Sequence, residues 1–287
     1  MAEWVAIQKT THQHARWENH THYNFAQASA VVPVLLAELT QLLPYYPLAF
    51  VKSTSVNTNE ATEAQAEEGF QLVALLSIQP NVNYYINTEG KWRVPYVPST
   101  LRSHPFKLVA KNAQEFVLCL DQTSEFVSLT GAASHTQPLF NASNENATSE
   151  TLELAESVAQ VLNFLQQCQA NQQLTQQAVN LLAKHNLITP WKIEQAADNP
   201  QAAATPVNGV FQINTEALQK LSGDALTELN QHHALELAYA QLFSKPRLQA
   251  FTGLSNLRQQ EQQTAESVQN LDLDQIFGEE ENDMFKF

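Results

Sequence analysis

The apolar residues of this chain change period near residue 150, and that change limits its fold more than any other feature. Before it, apolar residues come in short runs bounded by turn formers. "FQLVALLSI" (70–78) is apolar almost throughout, and "EFVLCLD" (115–121) alternates or runs apolar, as buried strands do. "LAFVK" (48–52) and "VNYYIN" (82–87) read as shorter strands, with "TEG" (88–90) as a turn. From residue 151 the apolar spacing becomes three and four. The stretch from Thr151 to Ile188 predicts one long or two shorter amphipathic helices. "GDALTELNQHHALELAYAQLFS" (223–244) continues helically until Pro246 breaks it.

The connecting segments fit the same division. Val31, Val34, Leu35, Leu39 and Leu42 recur at helical spacing, with Glu38 and Gln41 on the other face, and predict a helix within 24–43. Pro44 and Pro47 stop it. Residues 53–69 are rich in Glu, Thr and Asn and read as a solvated loop. Residues 91–110 hold three prolines, which favour an irregular, pinned crossing over a regular strand. Residues 141–150 read as a polar linker. "WKIE" (191–194) and "GVFQIN" (209–214) read as short strands, and Asn214 as the cap of the helix "TEALQKL". The expected fold is a single α+β domain, residues 1–254. A largely antiparallel sheet from 48–130 packs on the 24–43 helix and on a helical C-terminal half.

Beyond it, residues 255–287 read as a flexible acidic tail. Over 258–287, eight acidic residues face two basic ones, a net of −6 out of −14 for the chain. Leu271, Leu273, Ile276, Phe277, Met284, Phe285 and Phe287 stud it with anchors that a purely solvated tail does not need. Acidic segments with such anchors bind partners by folding or by adding a strand. A frayed terminus or a helix docked on the domain is the alternative.

Charge excludes some functions. A net of −14 with no Lys/Arg cluster argues against nucleic acid and against anionic lipid. The longest uninterrupted apolar run is "AVVPVLLA" (30–37), far short of a membrane span, and the first residues show no basic or apolar leader. The expected location is the cytoplasm, with no membrane insertion. Cys119 and Cys168 stand in no metal-ligand or redox spacing and read as reduced thiols. No phosphate-binding, dinucleotide-binding or nucleophile-elbow motif occurs, so no cofactor is expected.

Two stretches carry candidate chemistry. "THQHARWENHTH" (11–22) places His12, His14, His20 and His22 in two H-x-H pairs. Residues i and i+2 of a strand share a face, so each pair offers two imidazoles to one ion, but a zinc ion needs a third or fourth ligand. The stronger reading is a polar segment with exposed histidines and a packed or hydrogen-bonded His12. His232 and His233 lie on a predicted helix, where adjacent residues point apart. "WRVPYVPSTLRSHPF" (92–106) brings together Trp92, Tyr96, Arg102 and His104, and Asp121 ends a nearby strand. This mixture suits a pocket in which Arg102 pairs with a ligand carboxylate. In the structural alternative Arg102 caps a helix or pairs with Asp121, while Trp92 and Tyr96 fill the core.

The order of short motifs resembles the SapC family of bacterial proteins over roughly residues 5–254. "HQHAR" (12–16), "YYPLAF" (45–50), "LVALLSI" with "NVNYYIN", "CLD" (119–121), "GAASHTQPLF" (131–140) and "HNLITPWKIE" (185–194) each resemble a family segment. "GKWRVPYVPSTLRSHPF" (90–106) resembles its most distinctive stretch, and residues 213–251 resemble its closing helices. Only His12 of the four N-terminal histidines falls on the family pattern. Ser77 replaces a usual glycine, 53–69 looks inserted, and the tail lies outside. The resemblance implies a non-catalytic accessory role. Many members lie in gene clusters with TonB-dependent receptors and flavin-dependent halogenase-like proteins, which implies a protein partner of that kind. A small-molecule binder or enzyme built on Trp92, Tyr96, Arg102 and Asp121 is the alternative, and a His-dependent metalloenzyme a weaker third.

Overall fold

The computed structural model describes residues 2–55, 67–112, 115–130, 137–141, 152–195, 205–207 and 209–269. In chain order the first-half strands are β1 (Trp4–Ala6), β2 (Arg16–Trp17), β3 (Val31–Pro33), β4 (Leu48–Ser55), β5 (Glu67–Leu75), β6 (Phe106–Ala110), β7 (Phe116–Asp121), β8 (Val127–Ser128) and β9 (Gln137–Pro138). Short pairs follow: β10 (Phe140–Asn141) with β11 (Glu153–Leu154), and β13 (Ile193–Gln195) with β14 (Thr205–Val207). β12 (Ile188–Pro190) and β15 (Val210–Ile213) join the central sheet. The helices are α1 (Leu39–Leu42), α2 (Ser99–Arg102), α3 (Glu156–Lys184), α4 (Thr215–Gln219), α5 (Gly223–Gln231), α6 (Ala234–Ser244) and α7 (Ala250–Gln269).

The central sheet runs β12-β15-β4-β5-β3, with each neighbour antiparallel. Its backbone is the β4–β5 hairpin, whose apolar runs bury Leu48, Ala49, Phe50, Leu72, Val73 and Ala74. This hairpin takes Ser53–Ser55 and Glu67–Gly69 of the expected solvated loop into strand, and the remainder, 56–66, lies outside the described residues. A second sheet, β1-β7-β6, and a third, β8-β2-β9, hold the N-terminal segment.

Among the described residues two apolar cores result. The main one packs the central sheet against Ala178, Val179 and Leu182 of α3 and against Leu229, Leu237 and Ala238 of α5 and α6. The smaller one gathers Trp17, Phe106, Leu120, Leu139 and Phe140 around Val158, near the start of α3. The single long reading of the 151–188 stretch is therefore the observed one. At 1.5 Å per residue, the 29 residues of α3 span about 43 Å.

Buried polar side chains clasp helix to sheet. Gln241 accepts from Ile213 N at 3.0 Å and donates to Leu48 O at 3.2 Å, while Ser244 Oγ accepts from Leu48 N at 2.8 Å. Asn214 caps α4, its side chain accepting from Ala217 N at 3.1 Å.

Three sequence expectations are corrected. The 24–43 helix is instead a 3-10 turn (Asn24–Ala26), strand β3, a second 3-10 turn (Leu36–Glu38) and one turn of α1. Pro33 interrupts a helical ladder, and the β-branched Val31 and Val32 suit pairing with β5. Residues 82–87 form no strand beyond an isolated bridge from Ile86 to Trp92. Asn83 diverts the backbone there: its side chain accepts from Tyr85 N at 2.9 Å and donates to Ala26 O at 3.1 Å. Finally, the expected boundary at 254/255 falls inside α7, which continues to Gln269. Glu261 on α7 grips Arg93 with two bonds of 2.8 and 2.6 Å and accepts from Thr88 N at 3.2 Å. Arg93 holds the Glu261 carboxyl below its usual range. No described helix is long and apolar enough to cross a membrane.

Candidate functional site

The "WRVPYVPSTLRSHPF" stretch lies along the main core, and its polar groups converge on one buried carboxylate, Glu38. The 3-10 turn at Leu36–Glu38 points this side chain inward. Glu38 accepts from Leu35 N at 3.2 Å, Tyr96 OH at 2.9 Å and Ser99 N at 3.0 Å. Trp92 Nε1 donates to Tyr46 OH at 2.7 Å, and Tyr46 OH donates to the carbonyl of Tyr96. Tyr85 stacks on Trp92 at 6.1 Å and donates to Tyr45 O at 2.8 Å. Burial pushes the phenols of Tyr46, Tyr85 and Tyr96 well above their ordinary value, so all three stay protonated donors. Thr175 of α3 ties the same turn down, accepting from Leu36 N at 3.0 Å.

Arg102, at the end of α2, stands at the edge of this network. Its Nη2 lies 3.4 Å from Tyr96 OH, and its guanidinium sits between the rings of Tyr96 (5.4 Å) and Phe164 of α3 (5.3 Å). It does not pair with Asp121, as the structural alternative supposed. Asp121 Oδ1 instead accepts from Glu3 N (3.0 Å), Thr123 N (3.1 Å) and Thr123 Oγ1 (2.7 Å), stitching β1 to the end of β7. Trp92, Tyr96 and Arg102 thus share one neighbourhood, and His104 and Asp121 another.

The second neighbourhood is a cage of rings. His104 stacks on Phe25 at 3.8 Å and 11°, and its Nε2 lies 2.9 Å from Ser124 Oγ. Burial drives its pKa down to about 4, against the opposing pull of Asp121 and with a smaller push from His20. His20 is likewise lowered by burial, and its Nδ1 lies 3.1 Å from His104 O. His22 Nε2 lies 3.3 Å from Glu125.

The N-terminal histidines have separate roles. His12 is buried, with Nδ1 accepting from Gln8 N at 3.1 Å and Nε2 at 2.9 Å from Gln122 Nε2, while His14 is exposed. Among the described residues no group of three or more His, Cys, Asp or Glu could hold a metal. His233 takes a left-handed backbone conformation and lies 3.3 Å from Glu236. Cys119 and Cys168 are free, and burial pushes both thiols up. Ser77 Oγ accepts from Gln79 N at 2.8 Å.

Two clefts open beside α2 and α3. One, about 430 Å³, is mainly apolar and is lined by Phe25, Val31, Leu101, Leu108 and Leu165 with His104 at its wall. The other, about 290 Å³, is lined by Trp17, Asn19, Arg102, Gln137, Ser157 and Phe164, among others. Glu38 and Trp17 carried no functional signal in the sequence. Glu38 stood on the polar face of an expected helix, and Trp17 read as part of the histidine-rich lead-in. On the outer surface of α6, Tyr239 (45% exposed) and Phe243 (70% exposed) stack at 5.9 Å. The tail anchors Leu271, Leu273, Ile276, Phe277, Met284, Phe285 and Phe287 lie outside the described residues.

The fold and this geometry define an α+β domain whose most motif-rich stretch is knitted into its own core. The SapC family model matches residues 7–251, most of the chain, and the protein belongs to that family. No curated protein and no solved structure matches it.

Proposed function

We propose that this chain is a non-catalytic accessory protein that works by binding a protein partner. The carrying observation is the stacked Tyr239–Phe243 pair, two large rings spent on solvent rather than on the core. Aromatic side chains on a rigid helix are the residues that dominate binding energy at interfaces. Meanwhile the indole and the hydroxyl that would line a pocket at Trp92 and Tyr96 are already bonded, to Tyr46 OH and to Glu38. That leaves few free groups there for chemistry. The anchors of the 271–287 tail add a second contact in this reading. A flavin-dependent halogenase-like protein is the partner class that the family resemblance favours.

Calorimetry tests this with the purified full chain and such a halogenase-like flavoprotein. The expected result is a saturable complex that Tyr239→Ser with Phe243→Ser weakens about thirtyfold, the loss of one interface hot spot. Binding unaffected by the double variant removes α6 from the interface. No complex removes this partner class.

A further inference from the structure

We propose that the 290 Å³ cleft at the start of α3 is a binding site for a small organic carboxylate with an apolar body. This inference is independent of the partner reading.

Four features converge there. The first is Arg102. In a chain of net −14, it pairs with no carboxylate among the described residues, yet it is held in place between Tyr96 and Phe164. A guanidinium fixed by two rings presents its fork with little entropy left to lose, and a carboxylate is its planar, bidentate complement. The second is Trp17, which is 3% exposed and lines the cleft. Its Nε1–H is buried with no acceptor among the described residues, an uncompensated donor on a side chain of the cleft wall. The third is the start of α3. Its N-cap is Ala155, which offers no side-chain cap, so the first-turn N–H groups beside Ser157 have none. A helix start of this kind favours a negative charge. Glu156, the acid of that first turn, is exposed and does not line the cleft. The fourth is the wall itself. Val161 and Phe164 offer an apolar face, and Asn19, Gln137 and Gln160 offer amide donors and acceptors around it. The volume lies at the low end of small-molecule sites, which suits a metabolite-sized acid.

The experiment is a titration of the ¹⁵N-labelled full chain with benzoate, and separately with the neutral isostere benzamide. The indole Nε1–H signals are the readout. The expected result is a saturable shift of the Trp17 signal with benzoate, a benzamide response at least about tenfold weaker, and an unmoved Trp92 signal. Arg102→Gln is expected to weaken benzoate about tenfold or more, and Arg102→Lys, which keeps the charge but loses the fork, by less. An unmoved Trp92 signal in both variants shows that the core is intact. The proposal is overturned if the Trp17 signal stays put up to about 10 mM benzoate, if benzamide binds equally well, or if Arg102→Gln binds like the parent.

Discussion

Glu38 and Arg102 lie at the two ends of one short relay through Tyr96, and they are treated in opposite ways. The carboxylate is buried and accepts three hydrogen bonds, two of them from the motif-rich stretch that contains Arg102. The guanidinium is exposed, unpaired with any carboxylate among the described residues, and held only by rings and one long contact. A buried charge must be fully satisfied or it destabilises the fold. A charge left at a cleft edge costs little and stays available. Charged residues in one stretch therefore divide into those that hold the protein together and those that remain free to meet something else.

The largest test of that division is Glu38→Ala. It strands two backbone N–H groups and the Tyr96 hydroxyl, and is expected to cost about 3–5 kcal/mol in urea unfolding. A loss under about 1 kcal/mol would mean the network is not structural.

The second test uses pH. The folded-state pKa of His104 lies at about 4, below the ordinary value of about 6.5 in the unfolded chain. The unfolded state therefore binds more protons across that window. Stability is expected to fall as pH drops from about 6.5 to 4, by on the order of 2–3 kcal/mol, with His20 adding in the same direction. His104→Phe keeps a ring against Phe25 and should flatten the profile. An equally steep profile would assign the loss elsewhere.

A smaller effect is expected at the α7 clamp. Arg93→Ala removes both bonds to Glu261 and is expected to cost about 1–2 kcal/mol, felt first as faster amide exchange along 255–269. Unchanged exchange would show that α7 is held by its other contacts, Phe251 with its apolar neighbours and the bond from Arg258 to Asn83 O. Smallest is Arg102→Gln, whose unfolding free energy is expected to stay within about 1 kcal/mol of the parent. A larger loss would move Arg102 to the structural side of the comparison.

The sequence disclosed those parts of the fold that rest on local chemistry. Apolar runs made β5 and β7 legible, helical spacing made α3 legible, and Asn214 marked the start of α4. Val31 and Val32 misled because a short apolar run fits both periods, and only the partner strand β5 decides between them. Asn83 misled for a related reason: a single side chain took the backbone bonds that a ladder needs. At the site, Arg102 and Tyr96 stood out by residue type. Glu38 did not, because its partners Tyr96 and Ser99 lie about sixty residues away and nothing local announces them. Trp17 was hidden likewise, since an indole without an acceptor is a property of packing and not of spelling.

The length of α3 has a further consequence. One end of this helix is buried with Trp17 and Phe106, the other with the central sheet. Neither core keeps its share of the helix once the other lets go, because an isolated half-helix is marginal in water. The two cores should therefore melt as one cooperative unit, and a disturbance at the cleft beside Ser157 has a rigid path to the sheet about 30 Å away.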